Sequence, residues 1–588
     1  MPENKLVGWQ PCFSNPECVS EAVKNICALL EKEPERKYIS LGVNDIGCFC
    51  ECENCRKADG GKTSSFMGYR DHSTIYYHWL NKVVSAVDEK YPGRLYGVVA
   101  YREVIRPPEF KLHPNIVPFI TLDIHQELSP KRRTENHKLV EAWGQVARHI
   151  GIWEYFFMAR DYSIPRLTPA IHADAFRFAT SKNAGALFIE TGSYSGDAVK
   201  RYLAYKLAFH PELEPWRIIQ DWCDAAVGKK AGKFLKEYYE SCEKFWTSDE
   251  VRQTSWFTPG TTYFKRGMMR SYLYALPDGK LEEWRSMMEK MLAAAKEDGN
   301  ADQCYRAEKL FDFFKFHEAA AYGGGGGLIP VGGKFTGTGE VMAMLEKLPG
   351  AMEYSSGFHT VFQKIASDRF NGNFHTDNLS EYTRTGAIFF NALLPWRNNP
   401  AVREKGFATA ARPDVGAELR NKLRDTLDFD RKKNLIPDLP DELEKKEWRI
   451  SYKGVKVAIE QEDGKKRIKV LQPSPSTWLA ARRLLPLESR KTYALEVKAW
   501  SPFGTESQMS SRIILGGGKE ILSSSFEESS EFYKPCQGKR ITMTLVANTP
   551  NNCRYGWAYV IWNGLGPDEF FFIESMKLVE IGTGVEAK

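Results

Sequence analysis

Apolar and polar positions in the first two hundred residues alternate between two patterns. Short β-preferring apolar runs occur at Tyr38 to Val43, Arg94 to Tyr101, Ile116 to Asp123, Ile150 to Tyr155 and Ala186 to Glu190. They read as buried strands of a parallel sheet. Amphipathic stretches alternate with them at His72–Lys90, Asn136–Arg148 and Pro169–Ser181, and one helix precedes the first run. Its start is marked by Ser14 or Asn15 as N-cap and Pro16 in the first turn, with Val19, Val23, Ile26, Ala28 and Leu30 forming its apolar stripe. Five parallel strands cannot close an eight-stranded barrel. The sheet is therefore either open or part of a barrel whose first strands lie outside this chain, and the second reading is preferred. The expected fold class is α/β: a partial TIM-type (β/α) barrel over residues 1–197, followed by a helical region and a C-terminal β-sandwich.

Beyond residue 197 the period changes. Ala198–Phe209, Trp216–Val227, Lys230–Trp246, Leu281–Lys296 and Asp302–Phe316 carry helical spacing, which predicts a helical layer over 198–320 packed beside the barrel. Gly323 to Gly327 leads to Gly332-Gly333-Lys334-Phe335. A phosphate loop needs Ser or Thr after the lysine and a strand before the glycines. Both are missing, so a flexible connector is expected. Residues 321–430 mix short helical and irregular pieces, and the charged, proline-punctuated 431–447 reads as a linker. From Trp448 a period of two sets in, predicting seven or eight short strands of a β-sandwich over 448–588. Its aromatic residues Trp557, Tyr559 and Trp562 either stack on sugar rings or pack the core, and core packing is preferred.

Composition narrows the function classes. The chain has 588 residues and a net charge of +6, without a basic block or basic–aromatic interleaving, so no nucleic-acid partner is expected. No apolar run approaches the roughly 18 residues of a membrane helix. Met1 to Lys5 has no apolar signal core, which leaves the compartment open. Seven of the twelve cysteines precede Ala58. Cys48, Cys50, Cys52 and Cys55 offer four thiolates to zinc, but structural zinc sites usually draw two pairs from separate loops. A reduced or disulfide-tied loop supporting a pocket rim is the preferred reading, and no cofactor is expected.

The candidate chemistry sits at the strand ends. The first run closes on Asn44-Asp45, the third on Asp123 with His125 beyond, the fourth on Glu154 between Trp153 and Tyr155, and the fifth on Glu190. In α/β barrels the loops after the strands converge on one mouth, so acids there predict a polar pocket. Glycosidic cleavage needs a proton donor near the leaving oxygen, and either a second carboxylate or a substrate group to attack the sugar carbon. Where the sugar bears a 2-acetamido group, that group attacks. Asn44 then orients the amide and Asp45 protonates the departing sugar. An Asx turn ending the strand fits the same dipeptide equally well. An aromatic ring such as Trp153 or Tyr155 stacks on a pyranose face or fills the barrel.

From about Trp9 to Phe245 the chain resembles a bacterial family called domain of unknown function 4838. The matching pieces are Gln10-Pro11-Cys12, Ser14-Asn15-Pro16-Glu17, Ser40–Cys55, the Tyr101 strand end, Ile152–Tyr155 and Phe188–Tyr194. Some relatives resemble glycoside hydrolase family 163, endo-β-N-acetylglucosaminidases with a family 20 type of barrel. That resemblance implies that the five strands are the fourth to eighth, and that Asn44-Asp45 falls on an Asp-Glu catalytic pair after the fourth. Both positions depart from the pair: asparagine lacks the charge that stabilises an oxazolinium, and aspartate is a methylene shorter. Strand-end position and resemblance together make Tyr101, Asp123, His125, Trp153, Glu154, Tyr155, Glu190 and Tyr194 the candidate saccharide contacts, with Asp123, Glu154 or Glu190 alternatively a second carboxylate and His125 alternatively a metal ligand. The resemblance also implies a periplasmic or secreted location if an upstream segment exists. The expected partner is an oligosaccharide, polysaccharide or glycoprotein glycan. The leading expectation is substrate-assisted retaining hydrolysis of N-acetylhexosamine glycans. The alternatives are an inverting, α-glucuronidase-like enzyme using Asp45 and Glu190, or a non-catalytic carbohydrate-binding protein.

Overall fold

The structure is a computed structural model. It describes residues 10–45, 48–60, 70–156, 164–190, 198–257, 270–367, 386–436, 448–450, 456–462, 464–471, 479–485, 487–489, 491–503, 508–516, 526–528, 534–535, 540–549, 553, 555–563 and 569–583.

Five strands, β1 (Tyr38–Ser40), β2 (Leu95–Ala100), β3 (Ile116–Leu122), β4 (Ile150–Tyr155) and β5 (Ala184–Glu190), pair in chain order, and every pair is parallel. Helix α1 (Pro16–Lys32) precedes them, starting at an Asn15 cap whose side chain accepts from the Glu17 N–H. Helices α2 (Glu53–Asp59) and α3 (Ser73–Asp88) connect β1 to β2; α4 (Pro130–Val146) and α5 (Pro169–Ser181) follow β3 and β4. The periodicity gave no sign of α2. It also placed the start of α4 six residues late, because the first turn of α4 is Pro130 followed by charged side chains.

Alternation sorts the sheet's residues onto two faces. Tyr96, Val98, Ala100, Ile116, Ile120, Leu122, Ile150 and Ile152 are buried and share one core with Leu30, Leu80, Val84, Trp143 and Phe176 of the helices. The other face carries Gly97, Val99, Phe119, Gly151, Trp153 and Phe188, and is only partly covered. Phe188 is 43% exposed there, and Tyr38 of the edge strand 69%. The buried strand expected over Tyr38 to Val43 shrinks to three residues, of which only Ile39 is buried, because β1 has a neighbour on one side alone. Gly151 is dictated by packing: a Cβ there would lie 2.5 Å from Cδ1 of Phe119 across the sheet.

Helices follow at Ala198–Phe209, Pro215–Val227, Lys229–Trp246, Lys280–Asp298 and Ala301–Gly323. Further helices follow at Thr338–Ser356, Phe358–Ala366, Ala387–Leu393, Pro400–Ala411 and Ala417–Leu427. The glycine run is not a flexible connector. Gly324, Gly325 and Gly326 are buried in a tight turn, where Cβ atoms would meet Leu273, Ile329 and Leu276 at 2.4 to 2.7 Å, and Gly325 has φ +90°. Side chains are excluded by contact, which composition alone does not reveal.

The C-terminal strands are β6 (Trp448–Ile450), β7 (Lys456–Glu462), β8 (Lys465–Leu471), β9 (Leu479–Leu485), β10 (Lys491–Trp500), β11 (Gln508–Gly516), β12 (Phe526–Glu528), β13 (Lys534–Pro535), β14 (Ile541–Asn548), β15 (Tyr555–Asn563) and β16 (Phe570–Thr583). One sheet has the order β14-β10-β16-β8-β7, the other β12-β11-β15-β9-β6 with β13 on β11, and the pairing is antiparallel. Leu495, Val497, Met543, Leu545, Val560, Ile573 and Leu578 fill one core. Ala494, Val546, Val579 and Ile581, on the first sheet's other face, join the core of the helices. With both faces covered, β10 loses the alternation of a one-sided strand. Trp557 is buried in β15; the side chains of Tyr559 and Trp562 lie outside the described residues.

The segment expected as a linker is docked over its first residues. Asn434 accepts from the Leu578 N–H and donates to the Met576 carbonyl, and Ile436 is buried. Residues 437–447 lie outside the described residues. Nearby, the Arg397 guanidinium bridges Asp430 at 3.0 Å and the buried Glu496 of β10 at 2.8 Å, joining the helices to the sandwich.

Candidate functional site

The carboxyl ends of β1 to β5 carry two groups of residues that differ in exposure. On the exposed side, Asp45 follows β1 with its side chain 78% exposed and receives the Arg102 guanidinium at 3.2 Å. Arg102 also reaches Glu103 at 3.5 Å, so two acids from neighbouring strand ends share one cation. Arg102 sits at φ +48°, a conformation that costs a non-glycine residue about 1 kcal/mol or more. Strain of this kind gathers at functional sites. Asn44 is held through its main chain: Gln10 accepts from its N–H at 3.1 Å and donates to its carbonyl at 2.6 Å. Gln10 is itself buried, so this loop is anchored from the segment before α1.

Farther along the rim, Trp153 lies against Phe188 with ring centroids 3.9 Å apart and planes at 32°, and its indole N–H donates to Glu190 at 3.1 Å. Trp153 and Glu190 are half-buried. Tyr101 and Tyr155 belong to a small cluster with Ile105 and Trp153. Tyr155, a candidate contact in the sequence, is buried with Ile105, so the aromatic surface bordered by a carboxylate is that of Trp153 and Phe188 beside Glu190. Tyr194 lies outside the described residues.

Asp123, His125 and Glu154 are placed differently. Glu154 is the alternate neighbour of Trp153 on β4, so it points to the helix side, and it is 0% exposed. It accepts from the Ile124 N–H at 3.1 Å and lies 3.7 Å from Nε2 of His172 on α5. Asp123 and His125 are equally enclosed. Asp123 lies 3.9 Å from the buried Arg166, and His125 shares the Thr168 hydroxyl at 2.9 Å, its ring edge-on to His172. Lys200, also buried, donates to the Phe156 carbonyl at 2.9 Å. Glu127 accepts from Asn136 at 2.8 Å. Buried acids and cations are thus gathered at this place, Asp123, Glu127 and Glu154 with Arg166 and Lys200. Glu154 is pushed well above the carboxylate range, first by burial and then by Asp123, against the pull of the Ile124 N–H. Burial likewise lowers His125 far below its ordinary value and His172 to about 4. His172 donates its Nδ1 proton to the Thr168 carbonyl, since a carbonyl only accepts. This network fastens α5 to the ends of β3 and β4, and its enclosed acids are closed to solvent, unlike those of the exposed group.

Gln10, Arg102, Arg166, His172 and Lys200 were not singled out from the sequence. Gln10 stood within a matching motif and Arg102 beside Tyr101, but neither has a periodicity that marks a contact. The cysteine group also differs from the one expected. Cys48 is exposed and stands apart, while Cys12 joins Cys50, Cys52 and Cys55. The Ser14 hydroxyl, foremost among its neighbours, draws the Cys52 thiol down to about 6, and burial pushes Cys55 up to about 12.

Residues 1–240 match a protein family described as Domain of unknown function (DUF4838). No curated protein matches the chain. Among solved structures, a family GH115 4-O-methyl-α-glucuronidase with specificity for decorated arabinogalactans is similar at 10% identity and a TM-score of 0.34, over 93% of this chain and 64% of its own length. The CBM22-1 xylan-binding domain of Paenibacillus barcinonensis Xyn10C is similar at 8% identity and a TM-score of 0.21, over 26% of this chain and 97% of its own. TmCBM61, in complex with β-1,4-galactotriose, is similar at 14% identity and a TM-score of 0.17, over 22% of this chain and 87% of its own. Scores this low do not establish a shared fold. Among the described residues no helix is long and apolar enough to cross a membrane.

Proposed function

We propose that this protein cleaves a glycan containing N-acetylhexosamine, with the sugar's own acetamido group as nucleophile, Asn44 orienting that group and Asp45 protonating the leaving oxygen. The observation that carries the reading is the exposed rim: an accessible acid after β1 on the same end of the sheet as the Trp153–Phe188 surface, with Glu190 bound to the indole. An indole face and a bordering carboxylate are the groups that hold a pyranose, one by stacking and one by accepting from its hydroxyls. Arg102 has a role beside Asp45: its guanidinium lies 3.2 Å from the carboxylate and orients it. Asp123 and Glu154 are enclosed, so a second catalytic carboxylate would fall to Glu190 or be dispensable, and the acetamido mechanism dispenses with it.

The second reading is non-catalytic glycan binding, favoured by that same enclosure of Asp123 and Glu154. The purified chain is assayed against chromogenic β-N-acetylglucosaminides and β-glucuronides, and for glycan release from a glycoprotein. Turnover of the acetamido substrate that disappears in Asp45→Asn supports the proposal. Saturable glycan binding with no turnover of any substrate favours the second reading instead.

A further inference from the structure

Four sulfur atoms from two distant segments converge beside the β1 loop. The Sγ atoms of Cys12, Cys50, Cys52 and Cys55 all lie within 4.8 Å of one another. Cys12 Sγ is 3.8 Å from Cys52 Sγ and 3.8 Å from Cys55 Sγ. A disulfide would bring two of these sulfurs to about 2.05 Å. Four sulfurs each about 2.3 Å from a central zinc ion form a tetrahedron with edges of about 3.8 Å. We propose that Cys12, Cys50, Cys52 and Cys55 are the tetrathiolate ligands of a structural zinc ion that fastens the segment before α1 to the loop after β1.

The chain is arranged for this. Three ligands come from the loop and the start of α2, with Cys52 at the N-cap and Cys55 in the first turn. The fourth, Cys12, comes from about forty residues upstream. Four ligands from Cys48 to Cys55 would have to fold back on themselves within eight residues, and replacing Cys48 by Cys12 removes that strain. The Ser14 hydroxyl lies 3.1 Å from Cys12, 3.2 Å from Cys55 and 3.5 Å from Cys52, within reach to give its one proton to a thiolate sulfur, as outer partners of metal ligands do. Thiolates are soft ligands that select zinc over the hard cations magnesium and calcium. Each thiol that binds loses its proton to solvent, so occupancy falls in acid.

The proposed site also bears on the rim. Cys12 lies two residues from Gln10, whose carboxamide grips Asn44, and Cys50 lies five residues beyond Asp45. The ion would thus hold the Asn44-Asp45 turn from both sides. Only this last consequence depends on the function proposed for Asp45; the site itself does not.

The full chain, purified under reducing conditions without chelator, is analysed for metals by mass spectrometry. One zinc per chain is expected. Cys12→Ser and Cys55→Ser should each lose it, and Cys48→Ser should retain it. The parent reconstituted with cobalt(II) should give the intense thiolate charge-transfer absorption of a tetrahedral sulfur site, a readout that needs no variant to fold. The proposal is overturned if the parent holds no zinc even after reduction and zinc addition, if cobalt gives only the weak octahedral spectrum, if non-reducing peptide mapping finds a disulfide among the four, or if Cys48→Ser empties the site as Cys12→Ser does. Zinc bound without any hydrolase activity would leave the site standing and count against the function alone.

Discussion

Gly151→Ala tests the packing that sets β4, the strand carrying Trp153 and Glu154. A methyl group at residue 151 would lie 2.5 Å from Cδ1, 2.7 Å from Cε1 and 2.9 Å from Cγ of Phe119. Ordinary carbon contacts are about 3.5–4.0 Å, so the whole ring, not merely its tip, would have to retreat by about 1 Å. Such overpacking costs about 1–3 kcal/mol. In the absence of the clash, Gly→Ala would stabilise the protein by about 0.4–1 kcal/mol through the unfolded chain, so the two accounts predict opposite signs. Urea unfolding followed by tryptophan fluorescence should show a lower midpoint for Gly151→Ala with an unchanged slope. The Phe119→Leu background should recover part of the loss, because a leucine leaves the space the ring filled. A midpoint at or above that of the parent, or a deficit that Phe119→Leu does not reduce, refutes the close approach.

The buried network makes a pH prediction. The folded chain holds His172 near 4 against an ordinary 6.5, so between those values the unfolded chain binds a proton that the folded chain refuses. Stability from this group is complete above pH 6.5 and is lost as pH falls towards 4, by roughly 2 kcal/mol between pH 7 and pH 5. His172→Gln should therefore lose less stability than the parent over that interval in urea midpoints at both pH values, and an unchanged interval would count against a neutral His172. Removing Arg397 by substitution with alanine leaves the buried Glu496 with only the half-exposed Lys498 at 3.6 Å; a loss of about 1–3 kcal/mol is expected in thermal or urea unfolding, and no measurable loss would show that the clamp contributes little. Trp153→Ala should weaken glycan affinity at least tenfold in calorimetry, about 1.4 kcal/mol, while its circular dichroism stays that of the parent; full affinity would remove the aromatic surface from the site.

Legibility from sequence followed the physics of each feature. The five parallel strands could be read from their short apolar runs, although β1 and β5, at the two edges of the sheet, are far less buried than those runs imply, and α1 because Asn15-Pro16 caps it. The order of the strands followed from their alternation with helices. The glycine turn at 323–327 was misread because the side chains that crowd Gly324 and Gly326, Leu273 and Leu276, are distant in sequence. The acids at the strand ends looked equivalent in the sequence. They are not, because one residue's difference in register sends Glu154 to the helices and Trp153 to the open face. Cysteine spacing offered a metal loop only as the less favoured reading and gave no sign of Cys12, since its approach depends on how the segment before α1 folds back onto the β1 loop.

The central claim is that Asp45 is the proton donor of a glycosidase. Its most direct test compares parent and Asp45→Asn for kcat/KM on a β-N-acetylglucosaminide whose leaving group needs protonation. The account predicts measurable turnover by the parent and a fall of about 10²–10⁴-fold in the variant. Equal rates in the two proteins would contradict it.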